Sequence, residues 1–188
     1  MKAERKAESG LRVFTIGHST RPIGEFVELL RSNGVERLLD IRTIPKSRHN
    51  PQFNTDALAK SLHDAGIDYV HLKALGGLRK ALRDSPNMGW RNASFRGYAD
   101  YMQTPEFEEA LARAIELAAE KPTAFMCAEA VPWRCHRSLV ADALVARGIE
   151  AMEIVDISPP KPHKLTPFAR VDGTRVTYPA ETGSLLAE

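Results

Sequence analysis

Cysteine is scarce: Cys127 and Cys135 are the two in a chain of 188 residues. That count excludes a disulfide-stapled scaffold, and a chain of this length buries about 70% of its unfolded surface and needs no staples. Long apolar runs are lacking too. No stretch approaches 18 consecutive apolar residues, so no membrane-spanning helix is expected. The opening MKAERKAESG is charged and has no apolar core, unlike a signal peptide or an anchor. It reads as a frayed leader at residues 1–10, ahead of a single domain at 11–180 and a tail at 181–188, with a cytoplasmic location expected. No internal repeat is evident, and a large excess of one charge is also missing, since the net charge is +2.

That small net charge hides an uneven distribution. Residues 41–96 hold ten Lys plus Arg against four Asp plus Glu, a local +6, which leaves −4 for the remainder. Much of the excess lies in two segments that read as loops: Arg42, Lys46, Arg48 and His49 in the first, and Lys73, Arg79, Lys80, Arg83, Arg91 and Arg96 in the second. Such a patch is either a solvated basic surface or a site for a phosphate-bearing or otherwise anionic ligand.

Strand and helix signals alternate along the chain. Arg12 to Gly17 predicts a strand, followed by a helix with Thr20 as N-cap and Ile23, Phe26, Val27 and Leu30 on one face. Arg37 to Ile41 is a second strand, Thr55 to Ala65 a helix, and Ile67 to Leu72 a third strand. Lys73 to Phe95, with Gly76, Gly77, Pro86 and Gly89, breaks the rhythm in the manner of a lid, a binding loop or a disordered segment. A short helical piece is expected around Arg96 to Met102, and Thr104-Pro105 opens an amphipathic helix. The fourth strand ends at Cys127, a helix begins near Cys135 and stops at Gly148, and Ala151 to Ile157 is the fifth strand. SPPKPHKLTPF is too rich in proline for a helix or a central strand, and residues 170–176 read as a hairpin turning at Asp172-Gly173.

This order predicts a single-domain α/β fold: a mostly parallel sheet of about five strands flanked by helices, with a C-terminal hairpin. Ligands bind such sheets at the carboxyl ends of the strands. Those ends carry Gly17-His18-Ser19-Thr20, Asp40-Ile41-Arg42 and Cys127-Ala128-Glu129, so three motifs distant in sequence are expected on one rim.

The richest stretch runs from Cys127 to Arg137. It sets a thiol, a carboxylate, a second thiol, an imidazole and a guanidinium within about ten residues, a set that packing does not require. Arg137, His136 and the helix start are placed to lower the pKa of Cys127, and Cys135 to resolve an oxidised Cys127 if their Cα atoms come within about 7 Å. Gly17 allows close backbone approach, and the free N–H groups beyond it suit an anion or a developing negative charge.

These motifs resemble those of the bacterial and archaeal family catalogued as domain of unknown function 488. The residues concerned are Thr15 to Thr20, Asp40-Ile41-Arg42 with Pro45 and Ser47, Leu75-Gly76-Gly77, Phe95 to Met102, Met126 to Glu129, Cys135-His136-Arg137 and Leu165 to Arg170, spanning roughly 11 to 180. The resemblance implies an α/β domain and supplies no reaction. A fainter similarity is to rhodanese-like domains, in Asp40-Ile41-Arg42 and in Cys127 followed by Arg137-Ser138. The segment between Cys127 and Arg137 is longer than the standard rhodanese loop.

The reading these residues support is a thiol-dependent transferase or hydrolase acting on an anionic substrate, nucleotide-like or nucleic acid. Cys127 is the expected nucleophile, His18 and Glu129 the acid/base groups. Arg42, Ser19, Thr20, Arg137, His136, Gly76, Gly77 and Tyr98 are the expected substrate contacts. A small anionic or phosphorylated ligand is favoured over nucleic acid, and the sequence names neither a cofactor nor an oligomeric state. Two alternatives use the same residues. One is a non-catalytic module binding a ligand or nucleic acid; the other is a metal site built from Cys127, Cys135, His136 and His18, although this spacing lacks the short pairs of structural zinc modules.

Overall fold

Strands buried on both faces form the centre of the molecule. The computed structural model describes residues 10–181, and its six-stranded sheet has the order β3-β2-β4-β1-β5-β6. The strands are β1 (Arg12–Gly17), β2 (Arg37–Asp40), β3 (Asp68–His71), β4 (Thr123–Cys127), β5 (Glu150–Ile154) and β6 (Lys161–Pro162). The first five are mutually parallel, and β6 adds antiparallel to β5 at the edge. β2 and β4 are buried along their whole length, as expected of central strands covered by helices on both faces.

Alternation along each strand sends successive side chains to opposite faces. Ile16, Leu38, Ala124, Met126 and Ile154 meet Phe26, Leu29 and Leu30 of α1 (Ile23–Ser32) and Leu58 and Leu62 of α2 (Thr55–Asp64). On the other face Val13, Leu39, Phe125 and Ala151 meet α3 (Ala93–Tyr101), α4 (Pro105–Glu120) and α5 (Arg137–Val145). The chain leaves β1 through α1 toward β2 on one side, and leaves β4 through α5 toward β5 on the other. β1 and β4 are neighbours, with Gly17 opposite Cys127. This is the topological switch point of the sheet, where a crevice opens outside the strand ends.

Several boundaries differ from those read in the sequence. α1 starts at Ile23 with Pro22 in the cap position and no side-chain cap, so Thr20 lies outside it. Proline suits that place because its ring presets φ and its missing N–H is not needed there. β5 ends at Ile154, where Asp156 Oδ1 accepts from the Ser158 N–H at 2.7 Å and turns the chain away; Ile157 is 92% exposed. The proline-rich segment still yields β6, on the edge where Pro162 is tolerated. β7 (Arg170–Asp172) and β8 (Arg175–Thr177) form the hairpin, its loop at Gly173-Thr174.

The long segment after β3 is ordered and pinned to the core as a strap. The buried Asp100 carboxylate accepts from Leu82 N, Ser85 Oγ and Asn87 Nδ2, and Asn87 Oδ1 accepts from Tyr178 N. Trp90 packs among Phe95, Phe168 and Tyr178. A second buried carboxylate, Asp142 of α5, gathers the C-terminal part: Tyr178 OH and Thr166 N donate to it, and His163 bridges it to Glu153. No helix among the described residues is long and apolar enough to cross a membrane. All but the last residue of the leader, and all but the first residue of the tail, lie outside the described residues.

Candidate functional site

The motifs expected at the three strand ends converge, but at two depths. The upper level is a cleft of about 520 Å³ lined by His18, Ser19, Thr20, Arg42, Lys46, Ser47, Asn50, Glu129 and Arg134 among others. The lower level is a buried cluster of Cys127, Cys135, His136 and Arg137 beneath the segment that joins β4 to α5.

The cleft is built on an ion pair. Asp40 is fully buried at the end of β2, and Arg42 turns back onto it with Nε on Oδ1 at 2.8 Å and Nη2 on Oδ2 at 2.6 Å. Tyr69 OH also donates to Asp40 at 2.6 Å, and Arg42 Nη2 reaches the Phe53 carbonyl at 2.8 Å. Arg42 Nη1 lies 3.2 Å from His18 Nε2, and His18 Nδ1 lies 2.7 Å from the Ser19 carbonyl. Because arginine only donates, the imidazole is fixed: Nδ1–H donates to Ser19 and Nε2 accepts from Arg42. Burial, helped by the Arg42 charge, lowers His18 to about 4 against the pull of its bond to Ser19. His18 also stacks on Phe53 at 4.2 Å. Four of the five guanidinium hydrogens of Arg42 are thus spoken for, and one on Nη1 remains.

Ser19 is bent into positive φ (50°), and its N–H donates to the Ala128 carbonyl at 2.9 Å. His18 N donates to the Cys127 carbonyl at 3.0 Å, so the turn after β1 is laced to the segment leaving β4. Gly17 permits that lacing, since a Cβ there would sit 1.6 Å from the Glu129 carbonyl oxygen. The close approach expected at Gly17 is therefore made by the protein's own backbone.

Below, Cys127 is 1% exposed and Arg137 equally hidden. Arg137 makes one hydrogen bond, from Nη2 to the Glu129 carbonyl at 3.4 Å, and its Nε and Nη1 have no partner. Cys127 Sγ, as a thiol, donates to that carbonyl at 3.6 Å. Burial pushes the Cys127 thiol up. A hydrogen bond from Cys135, the Arg137 charge and the Glu129 main-chain N–H outweigh burial and bring the thiol below its ordinary value. Cys135 shifts the other way: its hydrogen bond to Cys127 and its burial keep it protonated. Its Sγ also lies 3.4 Å from His136 Nδ1, while His136 Nε2–H donates to the Ile41 carbonyl at 2.9 Å. Burial lowers His136 to about 4, so the ring is neutral with Nδ1 as its acceptor.

The remaining candidates lie apart. Tyr98 is 1% exposed, gives its hydroxyl to the Leu75 carbonyl at 2.7 Å and packs on His136 from below. Gly76 lies against Thr43, where a Cβ would meet Oγ1 at 2.4 Å, and Gly77 packs against His136. Tyr98 and Gly77 support the thiol cluster, Gly76 supports the turn at Thr43, and none of the three lines the cleft. The Glu129 side chain is exposed in the cleft while its carbonyl serves the buried cluster. Sequence reasoning passed over Arg134 and Asn50 as cleft residues, and Phe53 and Tyr69 as supports. Arg134 could have been found, since it sits beside Cys135 in the same motif-rich loop. The supports carried no signal, because their roles depend on contacts across strands. Among the described residues, no three His, Cys, Asp or Glu side chains gather as a metal site would need.

No curated protein and no solved structure matches the chain. One family model does, described as domain of unknown function DUF488, over residues 22–144. The matched span is shorter than the 11–180 expected; it takes in Asp40, Arg42, both cysteines and Arg137 but begins after His18. With well over half its length matched, the chain belongs to the DUF488 family.

Proposed function

We propose that the protein is a thiolate-dependent enzyme, a transferase or hydrolase, whose substrate is a small anionic molecule, phosphorylated or nucleotide-like, held in the cleft above Cys127. The observation that carries this reading is Arg137. A fully buried guanidinium with no carboxylate partner is expensive, and leaving such a charge uncompensated typically costs about 3–5 kcal/mol. Its immediate neighbour able to supply an anion is the Cys127 sulfur, whose ionisation gives a thiolate–guanidinium pair. A thiolate at a sheet's switch point, with a resident counter-charge, is the form a cysteine nucleophile takes.

Lys46, Arg134 and the remaining Nη1–H of Arg42 supply positive charge to the cleft, and Ser19, Thr20, Ser47 and Asn50 supply hydrogen bonds. Glu129 is the exposed carboxylate there and takes the acid/base role. His18, with both nitrogens engaged, holds Arg42 and the Ser19 turn. For attack, residues 128–134 shift so that the sulfur meets the substrate from below. A small ligand is favoured over nucleic acid because part of the basic excess is already engaged: Arg42 on Asp40, Arg79 over the Tyr101 ring at 3.6 Å, and Arg96 on the Trp90 carbonyl.

The test is alkylation by iodoacetamide as a function of pH, in wild type, Cys127→Ser and Cys135→Ser, with and without inorganic pyrophosphate. The reading expects one fast thiol, absent in Cys127→Ser, titrating below about 8.5. Pyrophosphate should slow its reaction, and the Lys46→Ala/Arg134→Ala double variant should lose that protection. A fast thiol that survives in Cys127→Ser, or that titrates at 8.5 or above, overturns the reading.

A further inference from the structure

The thiol cluster holds more than a nucleophile needs. Cys135 is the neighbour whose thiol favours the Cys127 thiolate, its Sγ lies 3.4 Å from His136 Nδ1, and His136 is anchored through Nε2–H on the Ile41 carbonyl at 2.9 Å. Both sulfurs are free and buried. The Cys135 proton has two acceptors, the Cys127 thiolate at rest and His136 once that thiolate is consumed. Cys127 is 1% and Cys135 7% exposed, so only a small oxidant reaches the sulfurs.

We propose that Cys127 and Cys135 are a dithiol couple that reduces small hydroperoxides, with His136 as the base for the second thiol; this rests on the thiolate reading of Cys127 and assigns the same site a further reaction. Cys127 Sγ⁻ attacks one oxygen of the peroxide. An S–O bond forms, the O–O bond breaks, and the departing hydroxide or alkoxide takes a proton from solvent. Sulfur is now a sulfenic acid and no longer a nucleophile. Cys135 passes its proton to His136 Nδ1 and attacks Cys127 Sγ. The S–S bond forms, the S–O bond breaks, and the leaving hydroxide recovers the proton from His136 as water. Two thiols and one peroxide give one disulfide, one water and one water or alcohol. An external dithiol returns the pair by exchange. Arg137 steadies the thiolate before the first step and the departing hydroxide in the second.

Hydrogen peroxide added to the intact protein, followed by quenching and mass spectrometry, tests the inference. The expected product is a monomer lighter by two hydrogens, with one peptide pair linked through Cys127 and Cys135, restored by dithiothreitol. Cys135→Ser should stop at the sulfenic acid, trapped by dimedone on Cys127. His136→Phe should form the sulfenic acid at the wild-type rate but close the disulfide at least tenfold more slowly. If His136→Phe does not fold, the closure rate in wild type is read against pH. Independence of pH from 6 to 8 supports His136 as base, and a tenfold rise per unit removes it. Ready alkylation of Cys127 below pH 8 without an intramolecular disulfide overturns the couple and leaves the proposed function standing. Slow alkylation together with no oxidation overturns both.

Discussion

Arg42 and Arg137 are both guanidiniums more than nine-tenths buried at the carboxyl edge of one sheet, and they differ in everything around them. Arg42 forks onto Asp40, reaches a backbone carbonyl and holds His18, while Arg137 has one long bond to a carbonyl and two nitrogens without partners. A saturated ion pair organises a rim and has little left for a ligand. An unsaturated one sets the charge of whatever lies beside it, and here that is a thiol. In the proposed reading the two cations divide the site into a scaffold and a reactive part.

The largest effect should come from breaking the saturated member. Arg42→Ala strands the Asp40 carboxylate in a fully buried place, with only Tyr69 OH and the residue 42 N–H to serve it. Urea denaturation should show a loss of roughly 3–5 kcal/mol. Arg137→Leu should cost less, under about 2 kcal/mol, because a shape-filling apolar residue removes both the charge and its need for a partner. Denaturation of the double variant Cys127→Ala/Arg137→Leu sharpens the contrast. Removing the sulfur alone leaves Arg137 unpaired, so the two changes should couple by about 1–3 kcal/mol; strictly additive losses would mean that the pair does not interact.

The next effect concerns pH. His163 is charged between Asp142 and Glu153: burial pulls its pKa down, but the two carboxylates raise it to about 9. A folded value above the ordinary 6.5 means that its contribution is fully present below pH 6.5 and is lost as pH rises through 9. The whole contribution is about 3 kcal/mol, so His163→Asn should destabilise strongly at pH 6 and weakly at pH 10. His18 and His136, lowered to about 4 mainly by burial, act with the opposite sign. Their contribution is present above pH 6.5 and lost as pH falls through 4. Thermal melting temperature should therefore peak near pH 6.5 to 7, and a stability that keeps rising to pH 9 would contradict the His163 assignment.

The smallest effect is expected from salt. A small phosphorylated ligand neutralised by Lys46 and Arg134 should bind with a log–log salt slope of about −2 or shallower, whereas an oligonucleotide reader would show a slope near −5 or steeper. A steep slope with tight oligonucleotide binding would reopen the nucleic-acid reading.

Much of the scaffold was legible in the sequence. Short apolar runs such as Ala124 to Cys127 report burial on both faces, the helical spacing of Phe107, Leu111 and Ala114 reports burial on one, and burial is what composes the sheet and its helices. The switch-point rule then brought the turn after β1, Arg42 and Cys127 to one edge. What stayed hidden was depth and direction. Nothing in the spacing tells that the Glu129 carbonyl serves the thiols while its carboxylate faces the cleft, or that Tyr98 supports His136 from the core. Gly76 and Gly77 read as loop glycines, yet they are packing positions against Thr43 and His136. Such facts arise from close approach between segments far apart in sequence, where no local period carries a trace.

The central claim is that Arg137 holds Cys127 as a thiolate, and thiolate absorbance near 240 nm reads it directly without any reagent having to reach the sulfur. Wild type and Cys135→Ser should each show a step belonging to Cys127, in wild type below the ordinary value of about 8.5. In Arg137→Leu that step should move up by at least about one unit, the equivalent of some 1.4 kcal/mol of lost charge stabilisation. A wild-type step at or above 8.5, or one that stays in place when Arg137 is replaced, would contradict the account.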